Sequence, residues 1–298
     1  MALFRAIETY RRPPRARLFV DHLARGFLGG PLGVVAGLCR LPLLGAGVER
    51  VIDHRWPGAR TSGVARTRLI DDAMREALRD GFQQFVILGA GFDSRAYRLP
   101  GLASTRVFEV DHRGTLAMKK KRLEAVLGGL PRHVRLVAVD LDGGELADAL
   151  GTAGFQPDSR SFFLWEGVTN YLTPGAVDST LQYVAATGAP GRRILFTYVH
   201  RGLLDGSVVF AGTEHLFATL ERSGEPWIFG FEPAELPAYL DERGLELVWD
   251  LGASEYRARY MGPAARRMAG YEFYRAAMAE VRAIGSSSAA RTGAGAQP

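Results

Sequence analysis

The stretch FVILGAGFDSRAYRL, from Phe85 to Leu99, combines residue types that can bind a charged ligand. An apolar run ends in two close glycines, Gly89 and Gly91, and the acid Asp93 follows them. Glycines allow the backbone to approach a ligand closely. The third glycine of a dinucleotide site, where a helix N-terminus receives a pyrophosphate, is absent. Because Asp93 stands in that neighbourhood and would repel an anion, we expect a ligand without phosphate groups.

Acidic residues follow each of the first four predicted strands. In chain order they are Asp93, Glu109 with Asp111, Asp140 with Asp142, and Glu166. Because the carboxyl ends of parallel strands share one edge of a sheet, these carboxylates should lie close together. A carboxylate after the second strand suits the paired hydroxyls of a ribose. Taken singly, Asp140 and Asp142 also fit turns or helix caps.

These features describe a nucleoside that carries positive charge and no phosphate. S-adenosyl-L-methionine has this chemistry, since it joins adenine, ribose, an amino acid and a sulfonium cation. Its positive groups would face acids such as Asp93, and its carboxylate would need a cation. Three arginines are candidates for that cation: Arg66, Arg68 and Arg95. We therefore expect S-adenosyl-L-methionine as the cofactor.

The alternation of predicted strands and helices after residue 83 indicates an α/β fold with a mainly parallel sheet and helices on both faces. The predicted strands are Gln84–Leu88, Thr105–Val110, Val134–Val139, Ser161–Trp165, Arg193–Tyr198, Leu245–Trp249 and Tyr256–Tyr260, the last two as an antiparallel pair. A final helix is predicted over Pro263–Ile284, and an earlier one from Pro174 ends at Gly188. The predicted domains are a helical cap (1–80), a cofactor-binding domain (81–284) with a lid insertion (201–235), and a disordered tail (285–298).

The composition and charge of the chain exclude some classes of protein. The chain has 298 residues, a net charge of +5 and one cysteine, so it has neither an internal disulfide nor a thiolate metal cluster. Its basic residues are scattered, which argues against nucleic acid, and we expect the run Lys119 to Arg122 on an exposed helix face. Phe27 to Val48 is apolar, but prolines, glycines and Arg40 interrupt it, so we expect short helices and no membrane contact. A cytoplasmic location and no metal are expected.

Several motifs resemble a known family. These are FVILGAGFDSRAYRL, VFEVDH, VDLD and WEGVTNYL, with RTRLIDDA upstream and TYVH downstream. They are similar to the leucine carboxyl methyltransferase-like family, and most closely to its bacterial branch of candidate S-adenosyl-L-methionine-dependent methyltransferases. The resemblance covers most of Arg15 to Tyr260. It implies a class I methyltransferase (Rossmann-like) fold, with a mostly parallel seven-stranded sheet, a helical cap and a lid insertion after the fifth strand.

The same resemblance implies roles for individual residues. It places Arg66 at the methionine carboxylate, Gly89 and Gly91 against the cofactor, Asp111 with Glu109 at the ribose, Asp140 and Leu141 beside the adenine, and Glu166 at the ammonium. Ile87 stands where the general class I motif has an acid, a departure that the family shares.

The acceptor remains open at this point. We expect O-methylation of a hydroxyl or carboxylate on a small molecule, as in secondary metabolism. The alternatives are a protein C-terminal carboxyl methyltransferase, a catalytically silent cofactor-binding protein and an NAD-dependent oxidoreductase. His200 is the candidate general base, with Tyr171 beside it, although His200 also fits a turn. The aromatic residues of Phe210–Phe231 either line an acceptor pocket or pack in the core. The oligomeric state is left open.

Overall fold

A seven-stranded sheet forms the centre of the computed structural model, which describes residues 1–186, 190–213, 216–224 and 226–282. Its strands are β1 (Gln84–Leu88), β2 (Arg106–Asp111), β3 (Val134–Ala138), β4 (Ser161–Trp165), β5 (Arg193–Val199), β6 (Leu245–Leu251) and β7 (Tyr274–Val281). They are ordered β3-β2-β1-β4-β5-β7-β6. β7 runs antiparallel to β5 and β6, and the other neighbouring strands are parallel.

Helices cover both faces of this sheet. They are α1 (Ala2–Arg11), α2 (Gly30–Leu38), α3 (Pro42–Arg55), α4 (Ala59–Arg79), α5 (Arg95–Arg98), α6 (Arg113–Leu127), α7 (Leu146–Thr152), α8 (Pro174–Ala186), α9 (Arg201–Leu204), α10 (Leu216–Ser223), α11 (Leu236–Asp241) and α12 (Ala253–Met261). Short 3₁₀ turns occupy Pro14–Ala16, Leu102–Ser104, Thr169–Tyr171 and Gly262–Arg267. The predicted end of α8 at Gly188 and the predicted tail (285–298) lie outside the described residues.

The burial of β1 on both faces explains its continuous apolar sequence. Successive side chains of a strand point to opposite faces. Val86 therefore packs in the core on the side of Val177 from α8, whereas Ile87 packs with Met74 from α4 on the other side. The strand is held between β2 and β4, so its carboxyl end opens toward the centre of one sheet edge.

The N-terminal segment, predicted as a helical cap, contains the helices α1 to α4. The apolar stretch from Phe27 to Val48 folds into α2 and the first half of α3, which confirms short helices joined by turns. Arg5 of α1 donates from Nε to Asp21 at 2.8 Å, and both side chains are buried. In the described part of the chain, no helix combines the length and apolar composition that crossing a bilayer requires.

The predicted strand at Tyr256–Tyr260 is wrong, because these residues belong to α12. The tyrosines in this segment favour a strand intrinsically, but a helix N-terminus that was not predicted precedes them. The backbone N–H of Gly252 donates to the Glu255 carboxylate at 2.7 Å, which stabilises the first turn. Tyr256 and Arg257 then point into the core from one side of the helix.

The predicted helix over Pro263–Ile284 is also wrong. Only Gly262–Arg267 forms a 3₁₀ turn, and Tyr274–Val281 is the strand β7. The alanines and Met278 favour a helix intrinsically. They lie in a strand because β7 fills the space between β5 and β6, where small buried side chains fit beneath the helices on both faces.

Candidate cofactor-binding site

Two cavities open where β1, β2 and β4 end, and both reach Gly89. The cap cavity, of about 800 Å³, is lined by residues 1–3, Arg5, residues 27–30, Leu32, Arg66, residues 87–93, Arg122, Glu166 and Gly167. The strand-end cavity, of about 560 Å³, is lined by Gly89, Asp111, His112, Thr115, residues 139–141, Val168, Tyr171, Leu172, Gly224, Pro226 and Ile228. Each volume lies within the range of small-molecule sites.

Gly89 has a conformation and surroundings that exclude a side chain. Its φ is +61°, and a Cβ there would lie 2.2 Å from Cγ2 of Val168. Gly91 also has a positive φ, of +38°, but a Cβ there would make only an ordinary contact, 3.8 Å from the carbonyl oxygen of Gly89. The loop after β1 therefore lies directly against the loop after β4, and the junction of the two cavities needs a glycine.

Glu166 and Arg66 form an ion pair inside the cap cavity. Arg66 donates from Nε to Oε1 of Glu166 at 2.9 Å, and its guanidinium lies over the Tyr274 ring at 4.5 Å. Arg95 donates from Nη1 to Oε2 of Glu166 at 2.8 Å. Burial opposes ionisation of Glu166, but the charges of Arg95 and Arg66 outweigh it and lower its pKa to about 2. Glu166 is thus a carboxylate at neutral pH.

Among the three arginines considered for a ligand carboxylate, only Arg66 lines either of these two cavities. Arg95 is fully buried and contacts Asp71, Asp93 and Glu166. Arg68 pairs with Asp72 four residues later on α4. Arg95 therefore holds the acids in place rather than facing a ligand.

Asp93 lines the cap cavity but is already paired with Arg95. Burial opposes its ionisation, and the positive charge of Arg95 keeps its pKa below the ordinary value. Asp71 joins the same cluster by accepting hydrogen bonds from Arg95 and Arg98. Asp71 was not predicted as a site residue, although it lies within RTRLIDDA, because nothing in its spacing distinguishes it from the half-buried Asp72 beside it.

Asp111 lies at the end of β2 with its carboxylate fixed by backbone groups. Oδ2 accepts from the N–H of Gly91 at 2.6 Å, and Oδ1 accepts from the N–H of His112 at 2.7 Å. Asp140 and Leu141 line the same strand-end cavity. The structure therefore brings together the residues expected at a ribose and an adenine.

The expected cofactor contact of Glu109 does not agree with the structure. Its side chain is fully buried, where Lys119 lies 2.9 Å from Oε1 and the Tyr97 hydroxyl donates to Oε2 at 2.7 Å. Glu109 and Asp111 point to the same side of β2, but Glu109 lies within the strand and is covered by Lys119 and Tyr97, whereas Asp111 ends the strand at the edge of the cavities. Lys119 also donates to the carbonyl oxygen of Ala90 at 3.3 Å, so this pair supports the glycine loop from below.

The run from Lys119 to Arg122 is likewise not simply an exposed face. Lys119 is fully buried, and it shares the inner face of α6 with Leu116 and Leu123. Arg122 lines the cap cavity, where its guanidinium lies 4.6 Å from the Phe92 ring centroid. The spacing of Leu116, Lys119 and Leu123 was a usable signal, because positions three and four apart share a helix face.

The two candidate catalytic residues occupy different surroundings. Tyr171 lines the strand-end cavity and meets Trp227 edge-on. His200 lines neither of the two cavities and caps α9, where its Nδ1 accepts from the N–H of Gly202 at 3.0 Å. Nε2 of His200 lies 3.7 Å from Glu232. The contact with Gly202 fits a helix cap, and the role of His200 as general base stays a prediction.

Most aromatic residues of the insertion pack in the core. Phe210 and Trp227 belong to a cluster around Phe273, and Phe229 and Phe231 pack against the core on one face of the sheet. The insertion reaches the strand-end cavity through Gly224, Pro226 and Ile228 instead. Within the described residues, no group of three His, Cys, Asp or Glu side chains is arranged to hold a metal ion.

Residues 1–185 match the model of the leucine carboxyl methyltransferase family, which covers more than half of the chain. The chain belongs to this family. Relatives of the family named as candidate S-adenosyl-L-methionine-dependent methyltransferases include one from Mycolicibacterium smegmatis. It is 47% identical over 131 residues, which is 44% of this chain and 42% of the relative. One from Frankia alni is 36% identical over 232 residues, which is 75% of each chain.

The chain spans 42% to 60% of the length of the first four relatives that it matches. Among solved structures, a candidate methyltransferase from Thermobifida fusca is similar with a TM-score of 0.59 and 16% identity, over 93% of this chain and 97% of that one. This likeness and the observed strand order confirm the class I methyltransferase fold.

Proposed function

We propose that this member of the leucine carboxyl methyltransferase family is an S-adenosyl-L-methionine-dependent methyltransferase acting on an oxygen of a small molecule. One observation carries the proposal: the Arg66–Glu166 pair and Asp111 lie in two cavities that meet at Gly89. This arrangement offers an amino-acid site on one side and a nucleoside site on the other.

The cap cavity suits the amino-acid end of the cofactor. Each carboxylate oxygen of Glu166 accepts one hydrogen bond from an arginine, which leaves further lone pairs for an ammonium group. Among the described residues, Arg66 donates only from Nε, so its terminal nitrogens are available to a carboxylate. A zwitterion bound here adds no net charge to the buried pair, which makes the binding electrostatically favourable.

The strand-end cavity suits the adenosine end. The carboxylate of Asp111 is fixed by two backbone N–H groups and retains lone pairs for the ribose hydroxyls. Leu141 and Val168 supply apolar surface for a base. A pyrophosphate would approach the carboxylates of Asp93 and Glu166 in the adjoining cavity, and their negative charges would repel it, which argues against NAD.

The bound cofactor would supply a methyl group activated by a sulfonium, and the acceptor oxygen would form a C–O bond as the C–S bond breaks. The residues of the chain bind and orient the two reactants and exclude water. Such positioning supplies up to about 7–11 kcal/mol in ideal cases. A carboxylate acceptor has no proton to lose, whereas a hydroxyl needs a base, and Tyr171 is the candidate that lines a cavity.

Apolar walls and a cation in the cap cavity support a proposal about the acceptor. Phe27, Leu28, Leu32 and Phe92 provide apolar walls, and Arg122 provides a cation. In the described part of the chain, no carboxylate forms an ion pair with Arg122, although its guanidinium donates to the carbonyl oxygen of Phe27. A small apolar acid would therefore complement this region, and a peptide C-terminus presents the same charged group.

The test is methyl transfer from labelled S-adenosyl-L-methionine to a panel of apolar carboxylic acids, phenols and a peptide with a free C-terminus. We expect label on a small molecule and a KM for it about tenfold higher in Arg122→Leu, since a charge-assisted hydrogen bond contributes about 1.5–3 kcal/mol. Lys121→Leu, on the exposed side of the same helix, is the matched control. Label on the peptide alone would assign the protein-methylating alternative, and no transfer to any acceptor would contradict the proposal.

A further inference from the structure

The outer face of α2 and α3 exposes an unusual amount of apolar surface. Of the eighteen large apolar side chains that are exposed in the described residues, seven lie between positions 32 and 51. We call them the cap patch: Leu32, Val34, Leu38, Leu41, Leu43, Leu44 and Val51. Leu43 is the most exposed of them, at 87%. A concentration of this kind on a folded surface marks a contact site rather than scattered exposure.

Helical periodicity gathers these side chains on outward faces. Val34, Leu38 and Leu41 are spaced by four and three positions through α2 and the turn that follows it. Leu44 and Val51 are two turns apart on α3, while Gly45 and Ile52 point inward. The patch therefore consists of two helix faces joined by a short turn, and it needs a partner with an extended apolar surface.

The charge around the cap patch is positive. Residues 11–60 contain nine arginines and three acids, a net charge of +6, whereas the whole chain has +5. All three acids are already paired with arginines: Asp21 with Arg5, Glu49 with Arg12 and Asp53 with Arg60. Arg25, Arg40 and Arg50 are exposed, and no ion pair to a described carboxylate neutralises them. The partner should therefore be anionic as well as apolar.

We propose that the cap patch docks onto the surface of an anionic lipid bilayer, with its leucines in the headgroup region and its arginines against the phosphates. Helices with apolar and arginine-rich surface bind membranes in this way without spanning them. The interruptions between Phe27 and Val48 argue against a spanning helix but not against a peripheral contact, so this proposal departs from the expectation of no membrane contact. A second copy of the chain is a poorer partner, because a symmetric contact would bring two positive faces together.

The cap patch and the cap cavity share a residue, which relates the proposed membrane contact to the cavity. Leu32 belongs to the patch and also lines the cavity, next to Phe27 and Leu28. A bilayer against the patch would therefore lie beside one wall of the cavity. Docking does not depend on the proposed methyl transfer and can be measured without it.

The experiment is co-sedimentation of the full chain with vesicles of phosphatidylglycerol and phosphatidylcholine in equal parts, and with vesicles of phosphatidylcholine alone. We expect binding to the anionic vesicles that weakens at high salt. Leu43→Glu should reduce it by about tenfold or more, because it replaces an inserted apolar side chain with a repelled charge. Arg50→Gln should reduce it about fivefold.

Val209→Glu is the matched control, because Val209 is 94% exposed and lies on the insertion, outside the cap patch. It should bind as the unmodified chain does, and thermal unfolding should show that all three variants are folded. The proposal would be overturned if Leu43→Glu bound anionic vesicles as strongly as the unmodified chain, or if the unmodified chain did not bind them. Self-association that Leu43→Glu abolishes, without vesicle binding, would assign the patch to a second copy. An acidic protein partner would be indicated if the patch bound soluble polyanions but no vesicle.

Discussion

Arg66 donates from Nε to Oε1 of Glu166 at 2.9 Å, across a separation of 100 residues. Arg66 lies on α4 and Glu166 follows β4, so this bond joins the helical cap to the carboxyl edge of the sheet. Because both residues line the cap cavity, the contact that holds the cap also prepares the site for a zwitterionic ligand.

The first prediction concerns the acid sensitivity of this contact. The pKa of Glu166 falls from its ordinary value of 4.5 to about 2 in the folded chain, despite burial, because Arg95 and Arg66 stabilise the carboxylate. Its stabilisation is therefore fully present above about pH 4.5 and is lost as the pH falls toward 2. Glu166→Gln should lower the free energy of unfolding at pH 7 by about 3 kcal/mol, since each pKa unit corresponds to about 1.4 kcal/mol.

Urea unfolding of both proteins across this pH range provides the measurement. The difference between them should shrink below pH 4.5 and stay constant from about pH 5 to 8. A difference independent of pH down to the lowest accessible value would show that Glu166 is not held ionised by its arginines.

A second prediction addresses the close approach at Gly89. Gly89→Ala should abolish cofactor binding or weaken it severely, because its Cβ would lie 2.2 Å from Val168 Cγ2. Gly81→Ala is the matched control, since Gly81 also has a positive φ, of +80°, but has open space around it. Both variants bear the backbone strain of about 1–2 kcal/mol, and only Gly89→Ala adds the collision.

The double variant Gly89→Ala, Val168→Ala removes the obstructing methyl groups and should recover part of the binding. If Gly81→Ala impaired binding as much as Gly89→Ala, strain alone would explain the loss and the junction would need no open space.

A third prediction tests the support beneath the glycine loop. Lys119→Met should destabilise the fold by about 3–5 kcal/mol, because it leaves the buried Glu109 without its counterion. Glu109→Gln, Lys119→Met should be more stable than Lys119→Met, since the double variant buries no unpaired charge. Chemical denaturation compares them, and similar stabilities of the single and double variants would contradict the role assigned to this pair.

A fourth prediction separates the two possible roles of His200. His200→Ala should lower the free energy of unfolding by about 1 kcal/mol through loss of the α9 cap, and His200→Asn should restore it. Turnover at neutral pH should stay nearly constant in both variants, because His200 lines neither of the two cavities. A loss of turnover in His200→Asn at unchanged stability would instead favour a general base.

Much of the central fold could be predicted because it depends on local patterns. The runs at Phe85 and Phe162 are apolar throughout, which is typical of strands covered on both faces. β7 could not be predicted this way, because its alanines favour a helix and only the space between β5 and β6 selects a strand. The tertiary environment therefore outweighed local propensity at the sheet's antiparallel end.

The candidate site could also be predicted only in part. Acids at strand ends could be located from spacing, so Asp111 and Glu166 lie at cavity walls as expected. The sequence could not distinguish Glu109 from Asp111, because residues two apart on a strand share a side, and only the packing of α6 places Lys119 against Glu109. It also could not show that Arg122 turns into a cavity from a run of basic residues.

Calorimetric titration with S-adenosyl-L-methionine, its demethylated product and NADH tests the central claim most directly. We predict that the first two bind and NADH does not, and that Asp111→Ala weakens binding about tenfold or more by removing charged hydrogen bonds to the ribose. Asp158→Ala, which removes an exposed acid away from both cavities, should bind as the unmodified chain does. Folded protein that binds neither S-adenosyl-L-methionine nor its product would contradict the account, and binding of NADH alone would favour the oxidoreductase alternative.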